Sequence, residues 1–575
     1  MKKIFKYSLI LLLATTFSCD ETEFLKEEAV EFYTPDNSLE TYAEFQASTN
    51  FLYNRLRRIL YGGIDLDTNF AFRYATDFAV NATDYNPPVK LNDYKNTMVP
   101  TFAVVRNMWE AAYNTVITHA NVVIDNAPKS QKLSESDKNY FIAEAKFFRA
   151  WAYRLLANLY GGVPLVLEQI TTPRRDFVRA TREEVYNQCK QDLLDAIAVL
   201  NDVDKVTDGK LNKQVCQHLL AEIYISLGQY NEAVQQATAV INYPGLALMT
   251  ERFGRRKDLP GDVYNDLFAL YNPNRSNGNT EGLFVIQAEY NNPVSSNQRD
   301  AIQWAIIPDL GNLRYNETVN NTSAPVIFAY NSMLAGRGVG WIRPTTYFFY
   351  EIWKDDWEGD IRNSEYNIIR DIQIDGVAQD HPDYGKWYVK DGYKAKVTQF
   401  ADTIRNFFPI IKKATLHHGD FSADWFRKDA DGNIMISPLD GGNYMVNASE
   451  NPYPAKYLHR LAETYLIRAE AYIRQNDMQR AADDINQLRR RAQTFEITAA
   501  DVNIDFLLDE RLRELYAEEL RMLTLTRMGL LYDRNVKYNE KSGLSIEPYH
   551  NLWPIPFQEI ERNTEALIEQ NPGYN

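Results

Sequence analysis

Apolar side chains recur at steps of three and four along much of this 575-residue chain, and the runs are interrupted by stretches with no period. The strongest run lies between about Asp137 and Tyr160. There Phe141, Ala145, Phe148, Ala152, Leu155 and Leu159 line up as one apolar stripe, which predicts an amphipathic helix. Ser134 and Ser136 are available as N-caps, and Gly161-Gly162 with Pro164 stops the helix. The same spacing predicts a helix from Leu39 through Phe45, Leu52 and Leu56 to Gly62-Gly63, one from Val104 to about Asn126, and one from Arg182 to Leu200. Further helices are predicted over about 454–493 and 503–528.

One spacing occurs twice. Ala221, Tyr224, Gly228, Tyr230, Ala233, Ala237 and Val240 are repeated in kind by Ala469, Tyr472, Asn476, Met478, Ala481, Ile485 and Leu488. This is the small-residue pattern of a tetratricopeptide-type helical hairpin, in which small side chains let two helices approach closely. The copies stand 248 positions apart, too far for a simple tandem array. Between them, about 250–450, Gly, Asn, Pro and aromatic residues dominate, with short β-like runs from Gly282 to Ala288 and from Asn406 to Ile411. Residues 62–101 are likewise loop-like and rich in aromatics. The expected fold is mainly α: helical hairpins as scaffold, with an irregular, loop-rich insertion that contains short β-strands. Loop-rich matter on a rigid scaffold is where binding usually resides.

The N-terminus changes the picture. Lys2, Lys3 and Lys6 precede an apolar run from Tyr7 to Ala14, then small and polar residues up to Ser18 and Cys19. That run is too short to span a bilayer and has the layout of a secretory signal. A cysteine at the cleavage point predicts lipidation of Cys19, with Thr16 standing where a lipobox usually has Leu. The expected organisation is a lipoprotein signal over 1–18, an acidic tether over 19–40, a helical region over 41–250, the insertion over 251–453, and a helical region with its tail over 454–575. Formal net charge is -15, and loss of the three signal lysines takes it to -18, which argues against nucleic acid as a partner. Of the 3 cysteines only Cys189 and Cys216 then remain, both in helical patterns without metal-ligand spacing. They are expected to be buried and unbridged.

Catalytic motifs are missing: there is no G-x-S-x-G, no Walker A and no H-E-x-x-H. Gly336, Gly338 and Gly340 are followed by Trp341-Ile342-Arg343-Pro344 and not by a helix, so they do not make a dinucleotide turn. Asp429, Asp431 and Gly432 mimic the start of a calcium loop, but a hairpin turn is expected. Binding chemistry is better represented. Sugars offer weakly apolar C–H faces and rims of hydroxyls, so a binder wants aromatic platforms beside amides, carboxylates and guanidiniums. Asp77, Asp84, Tyr85 and Asn86 in the first aromatic loop fit that need, as do Trp304, Arg314, Tyr315, Trp341 and Arg343 in the insertion.

Several segments carry a family resemblance. They are Trp109-Glu110-Ala111-Ala112-Tyr113, Glu144-Ala145-Lys146-Phe147-Phe148-Arg149-Ala150, Tyr160-Gly161-Gly162-Val163-Pro164-Leu165, and Arg460-Leu461-Ala462-Glu463-Thr464-Tyr465-Leu466 running on to Arg468-Ala469-Glu470-Ala471. Asn486, Arg489, Glu510-Arg511, Glu519, Arg521, Leu552-Trp553-Pro554-Ile555-Pro556 and Gln570-Asn571-Pro572-Gly573-Tyr574 complete the set. In number and order they resemble the SusD/RagB family of outer-membrane nutrient-binding lipoproteins. The resemblance implies a cell-surface protein that binds an oligosaccharide or polysaccharide, or in some branches a peptide. The ligand would pass to a TonB-dependent, SusC-like barrel. It implies no catalysis, and no cofactor or metal-ligating residue is assigned. An adaptor that uses its hairpins to bind a partner protein is the alternative in another class. Thr76-Asp77 resembles the family's early Thr-Asp pair, which offers Asp77 a structural role as a cap or turn. Glu144, Arg149, Glu463, Glu470, Glu510, Arg511 and Arg521 are expected to form partly buried ion pairs, and Trp553 to cover the core.

Overall fold

The computed structural model describes residues 39–62, 66–83, 90–289, 301–319, 322–393, 405–446 and 454–574. Its frame is helical. Helix α1 (Tyr42–Tyr61) opens with a capping box in which Thr41 and Glu44 satisfy each other's backbone N–H groups. Helices α2 (Ala103–Glu110) and α3 (Thr118–Asn126) are joined by a π-helical stretch, Ala111–Ile117, so the predicted single helix carries a bulge. Helix α4 (Glu135–Tyr160) is capped by Ser134 and ended by Gly161 at φ 78°. Its apolar stripe is only part of its buried surface, because every residue from Phe147 to Tyr160 is buried. Helices α1, α3 and α5 (Arg182–Val199) pack around it. Its polar members are therefore matched inside the protein. Arg149 pairs with Asp192 at 2.7 Å and Arg154 with Glu222 at 2.6 Å, while Glu144 accepts hydrogen bonds from the Tyr53 and Tyr140 hydroxyls.

The two repeated patterns are hairpins of the same build. Helices α6 (Lys213–Ser226) and α7 (Tyr230–Ile241) turn at Gly228, and α8 (Leu461–Arg474) and α9 (Met478–Arg491) turn at Asn476. Both turn residues are left-handed, at φ 71° and 61°, which only Gly and, at some cost, Asn adopt readily. The hydrogen bonds agree as well: Gln229 N–H donates to Tyr224 O and Asp477 N–H to Tyr472 O, both at 2.8 Å. Despite their separation in sequence, the hairpins stack directly, α7 against α8. Cys189 on α5 and Cys216 on α6 are buried free thiols. Beyond α9 come α10 (Ile504–Leu515), α11 (Arg521–Met528) and α12 (Leu531–Tyr538). The tail returns over α4: Trp553 is fully buried, its N–H donates to Leu159 O, and Asn571 Nδ2 donates to the carbonyls of Tyr160 and Trp553. No described helix is long and apolar enough to cross a membrane.

The strands form two-stranded antiparallel pairs that tie the insertion to this frame. Strand β1 (Ala79–Asn81) pairs with β5 (Ile342–Pro344), β2 (Gly282–Ile286) with β8 (Lys456–Arg460), β3 (Arg314–Val319) with β4 (Thr322–Pro325), and β6 (Ile368–Ile369) with β7 (Ile410–Ile411). Residues 429–433 make a tight turn with Gly432 at φ 86°; Gly432 N–H donates to Asp429 O and Asp429 N–H to Asn433 O.

Buried charge fastens the pieces together. Glu514 on α10 receives Arg460, Arg491 and Arg362, the last from the insertion. Arg511 bridges Glu463 and Glu519, and Arg527 holds Glu470. Burial alone would favour a neutral carboxyl at Glu514, yet the surrounding guanidiniums win and hold it down at about 2.

Candidate functional site

Four of the sequence candidates, Asp77, Trp304, Trp341 and Arg343, lie at or beside one ribbon. In the β1–β5 pair Val80 faces Arg343 and Asn81 faces Ile342; Ala82 N–H then donates to Trp341 O at 2.8 Å. Thr345 closes the other end, its N–H donating to Phe78 O and its hydroxyl to Asp77 O. The short helix Ala301–Ile306 lies beneath, and Trp304 packs edge-on against Trp341 with ring centroids 4.9 Å apart.

Burial separates these candidates. Asp77 exposes no surface, and its two carboxylate oxygens take Arg521 and Arg534 at 2.6–2.8 Å. Desolvation raises its pKa, but the two arginines overcome that and hold it at about 2. Asp77 is thus a structural ion-pair centre and not a ligand residue. Trp304 is also buried, so it supports Trp341 and offers no platform of its own. Trp341 is half-buried. Arg343 reaches Glu540 at 2.8 Å, and Arg314 donates to the carbonyls of Gly311 and Leu313. Cys19, Asp84, Tyr85, Asn86 and the side chain of Tyr315 lie outside the described residues.

A second concavity in the insertion contains none of these residues. It is a cleft of about 450 Å³, with Tyr366 and Trp387 on its walls and Arg370, Asp371, Gln373, Asp375 and Asp440 among its polar lining. Tyr366 and Trp387 are 38% and 39% exposed, unusual for large aromatic side chains. The backbone around Trp387 is fixed. Asp371 accepts from Val389 N–H and Lys390 N–H, Tyr388 N–H donates to Ile372 O, and Trp387 N–H donates to Asp391. On the floor, Asp375 accepts from the Tyr444 hydroxyl and Phe328 N–H, and Asn331 holds Asp440. Arg370 stacks on Trp357 at 4.5 Å and donates through Nη2 to Phe349 O and Asn363 Oδ1. Its Nε is buried without a hydrogen-bond partner among the described residues, and burial brings its pKa down to about 10. Tyr350 lies parallel to Trp357 with a 6.4 Å centroid separation, outside the lining of the cleft. Aromatic faces beside fixed carboxylates and amides can take both the C–H faces and the hydroxyls of a sugar. Sequence reading reached this region but not these residues, because coil has no period to mark them.

Comparison with known proteins agrees with this architecture. Residues 439–574 match the model of the SusD family, and residues 33–225 match one described as starch-binding associating with outer membrane. SusD-like protein P2 of Formosa agariphila is 26% identical over 593 residues, covering all of both chains. Starch-binding protein SusD of Bacteroides thetaiotaomicron is 39% identical over 121 residues, 20% of this chain and 21% of that one. The surface glycan-binding protein A of the same organism, solved with laminarihexaose, superposes with a TM-score of 0.62 at 18% identity, covering 92% of this chain and 99% of its own. Both helical ends match SusD-type family models and the whole chain aligns with a SusD-like relative, which supports a SusD/RagB family protein.

Proposed function

We propose that this protein binds a glycan at the outer surface of the outer membrane and delivers it to a TonB-dependent, SusC-like barrel, without catalysing any reaction on it. The cleft carries the reading: part-exposed Trp387 and Tyr366 line it together with fixed carboxylates and amides. Relatives support a sugar, since one is a starch-binding protein and a solved neighbour holds laminarihexaose. Lipid on Cys19 and the acidic residues Asp20, Glu21 and Glu23 after it supply an anchor and a tether. The 251–453 insertion is the ligand-binding part, and the helical regions before and after it are its support.

The test is calorimetric titration of the purified protein with laminari-oligosaccharides, malto-oligosaccharides and a panel of peptides. Trp387→Ala and Trp341→Ala are run alongside. Glycan binding weakened by Trp387→Ala assigns the cleft; weakening by Trp341→Ala alone assigns the ribbon instead. Peptide binding with no glycan binding would overturn the carbohydrate reading and leave nutrient import standing.

A further inference from the structure

Two histidines and a glutamate converge where the first hairpin meets the second. His218 lies on α6, Glu463 on the first turn of α8, and His459 on β8 just before it. Glu463 Oε2 is 3.3 Å from His218 Nε2 and 3.0 Å from His459 Nδ1, and the three atoms lie within 4.8 Å of one another. We propose that His218, His459 and Glu463 form a binding site for a zinc-type divalent transition-metal ion, which fastens the first hairpin to the second.

The geometry suits such an ion. Bonds of about 2.0–2.1 Å at tetrahedral angles place ligand atoms roughly 3.3 Å apart. Two imidazole nitrogens and one carboxylate oxygen are the donor set of many zinc sites. The second layer is also built. His218 Nδ1 lies 2.8 Å from Thr464 Oγ1, so a proton there leaves the Nε2 lone pair for the metal. Arg511 binds Glu463 Oε1 at 3.0 Å, which orients Oε2 toward the histidines. His218 Nε2 is buried and makes no hydrogen bond of normal geometry among the described residues. A cavity of about 20 Å³ adjoins His459 and Glu463, room for one water as fourth ligand.

Charge does not forbid the ion. The cations facing the trio are Arg154 and Arg511, and each already has an anionic partner, Glu222 and Glu519.

The experiment uses tag-free protein, loaded with Zn²⁺ or Co²⁺ and dialysed. One equivalent of zinc by elemental analysis, a tetrahedral cobalt absorption band, and a higher melting temperature with metal are expected. His218→Gln and His459→Gln should each weaken binding at least about tenfold. No retained metal and no cobalt band in the unaltered protein would overturn the proposal, even if a variant failed to fold. So would binding undiminished in both variants.

Discussion

The buried charge clusters of the helical frame and the cleft of the insertion present different surfaces. In the frame, charged side chains are buried and matched to each other: Asp77 holds two arginines, and Glu514 holds three. Such groups fix which helix meets which, and they have little capacity left for a ligand. In the cleft of the insertion, Trp387 and Tyr366 stay 39% and 38% exposed. The contrast shows that a buried, perturbed carboxylate in this protein marks architecture. The proposed binding surface differs from it in carrying exposed aromatic area.

The comparison can be broken most severely with acid. Asp77, Glu222 and Glu514 are held at about 2 in the folded protein, below their unfolded values near 4. A depressed folded pKa gives stability that is present above about pH 4 and lost as pH falls toward 2. Helical circular dichroism should collapse in that window, and a signal unchanged down to pH 2 would remove the ion pairs from the account. Next in size, Asp77→Ala leaves Arg521 and Arg534 buried without their shared carboxylate. It should cost about 3–5 kcal/mol in urea unfolding. Trp387→Ala should instead leave stability within about 0.5 kcal/mol and weaken glycan binding about tenfold, or about 1.4 kcal/mol. If it destabilises the protein by several kcal/mol, about as much as a core truncation, or leaves the affinity of the folded protein unchanged, the division of labour is wrong. The smallest effect tests the turns. Gly228→Ala puts a Cβ on a residue at φ 71° with no atom within 4 Å of it, so the cost is purely conformational, about 1 kcal/mol. Asn476→Gly at the matching turn should be neutral or slightly stabilising.

Periodicity made the frame legible. The stripe from Phe141 to Leu159 and the doubled Ala-Tyr spacing correspond to α4 and to the two hairpins. Three things left no periodic signal. The stacking of α7 on α8 is a contact between distant segments, and nothing in either helix names the other. The β1–β5 ribbon has three residues a side, too few for an alternating pattern to stand out. Trp304 read as a candidate platform because its neighbourhood looks like loop; the short helix Ala301–Ile306 turns it inward against Trp341. Asp77 was ambiguous for a different reason. An aspartate among aromatics suits a sugar or an arginine equally well, and only the return of Arg521 and Arg534 from the far end of the chain decides between them.

The stacking of α7 on α8 also sets a schedule for synthesis. About 220 residues separate the end of one helix from the start of the other, and a ribosome adding about 5–20 residues per second needs roughly 10 to 45 seconds to make them. Through that interval α7 must wait with its partner face open. The contacts it will make with the second hairpin come from Asn231, Val234 and Thr238: Gln475 donates to Asn231, Arg468 donates to Thr238, and Val234 packs on the second hairpin's core. A face that joins its partner through amide and hydroxyl groups and a single valine offers little for a stray apolar surface to hold while it waits.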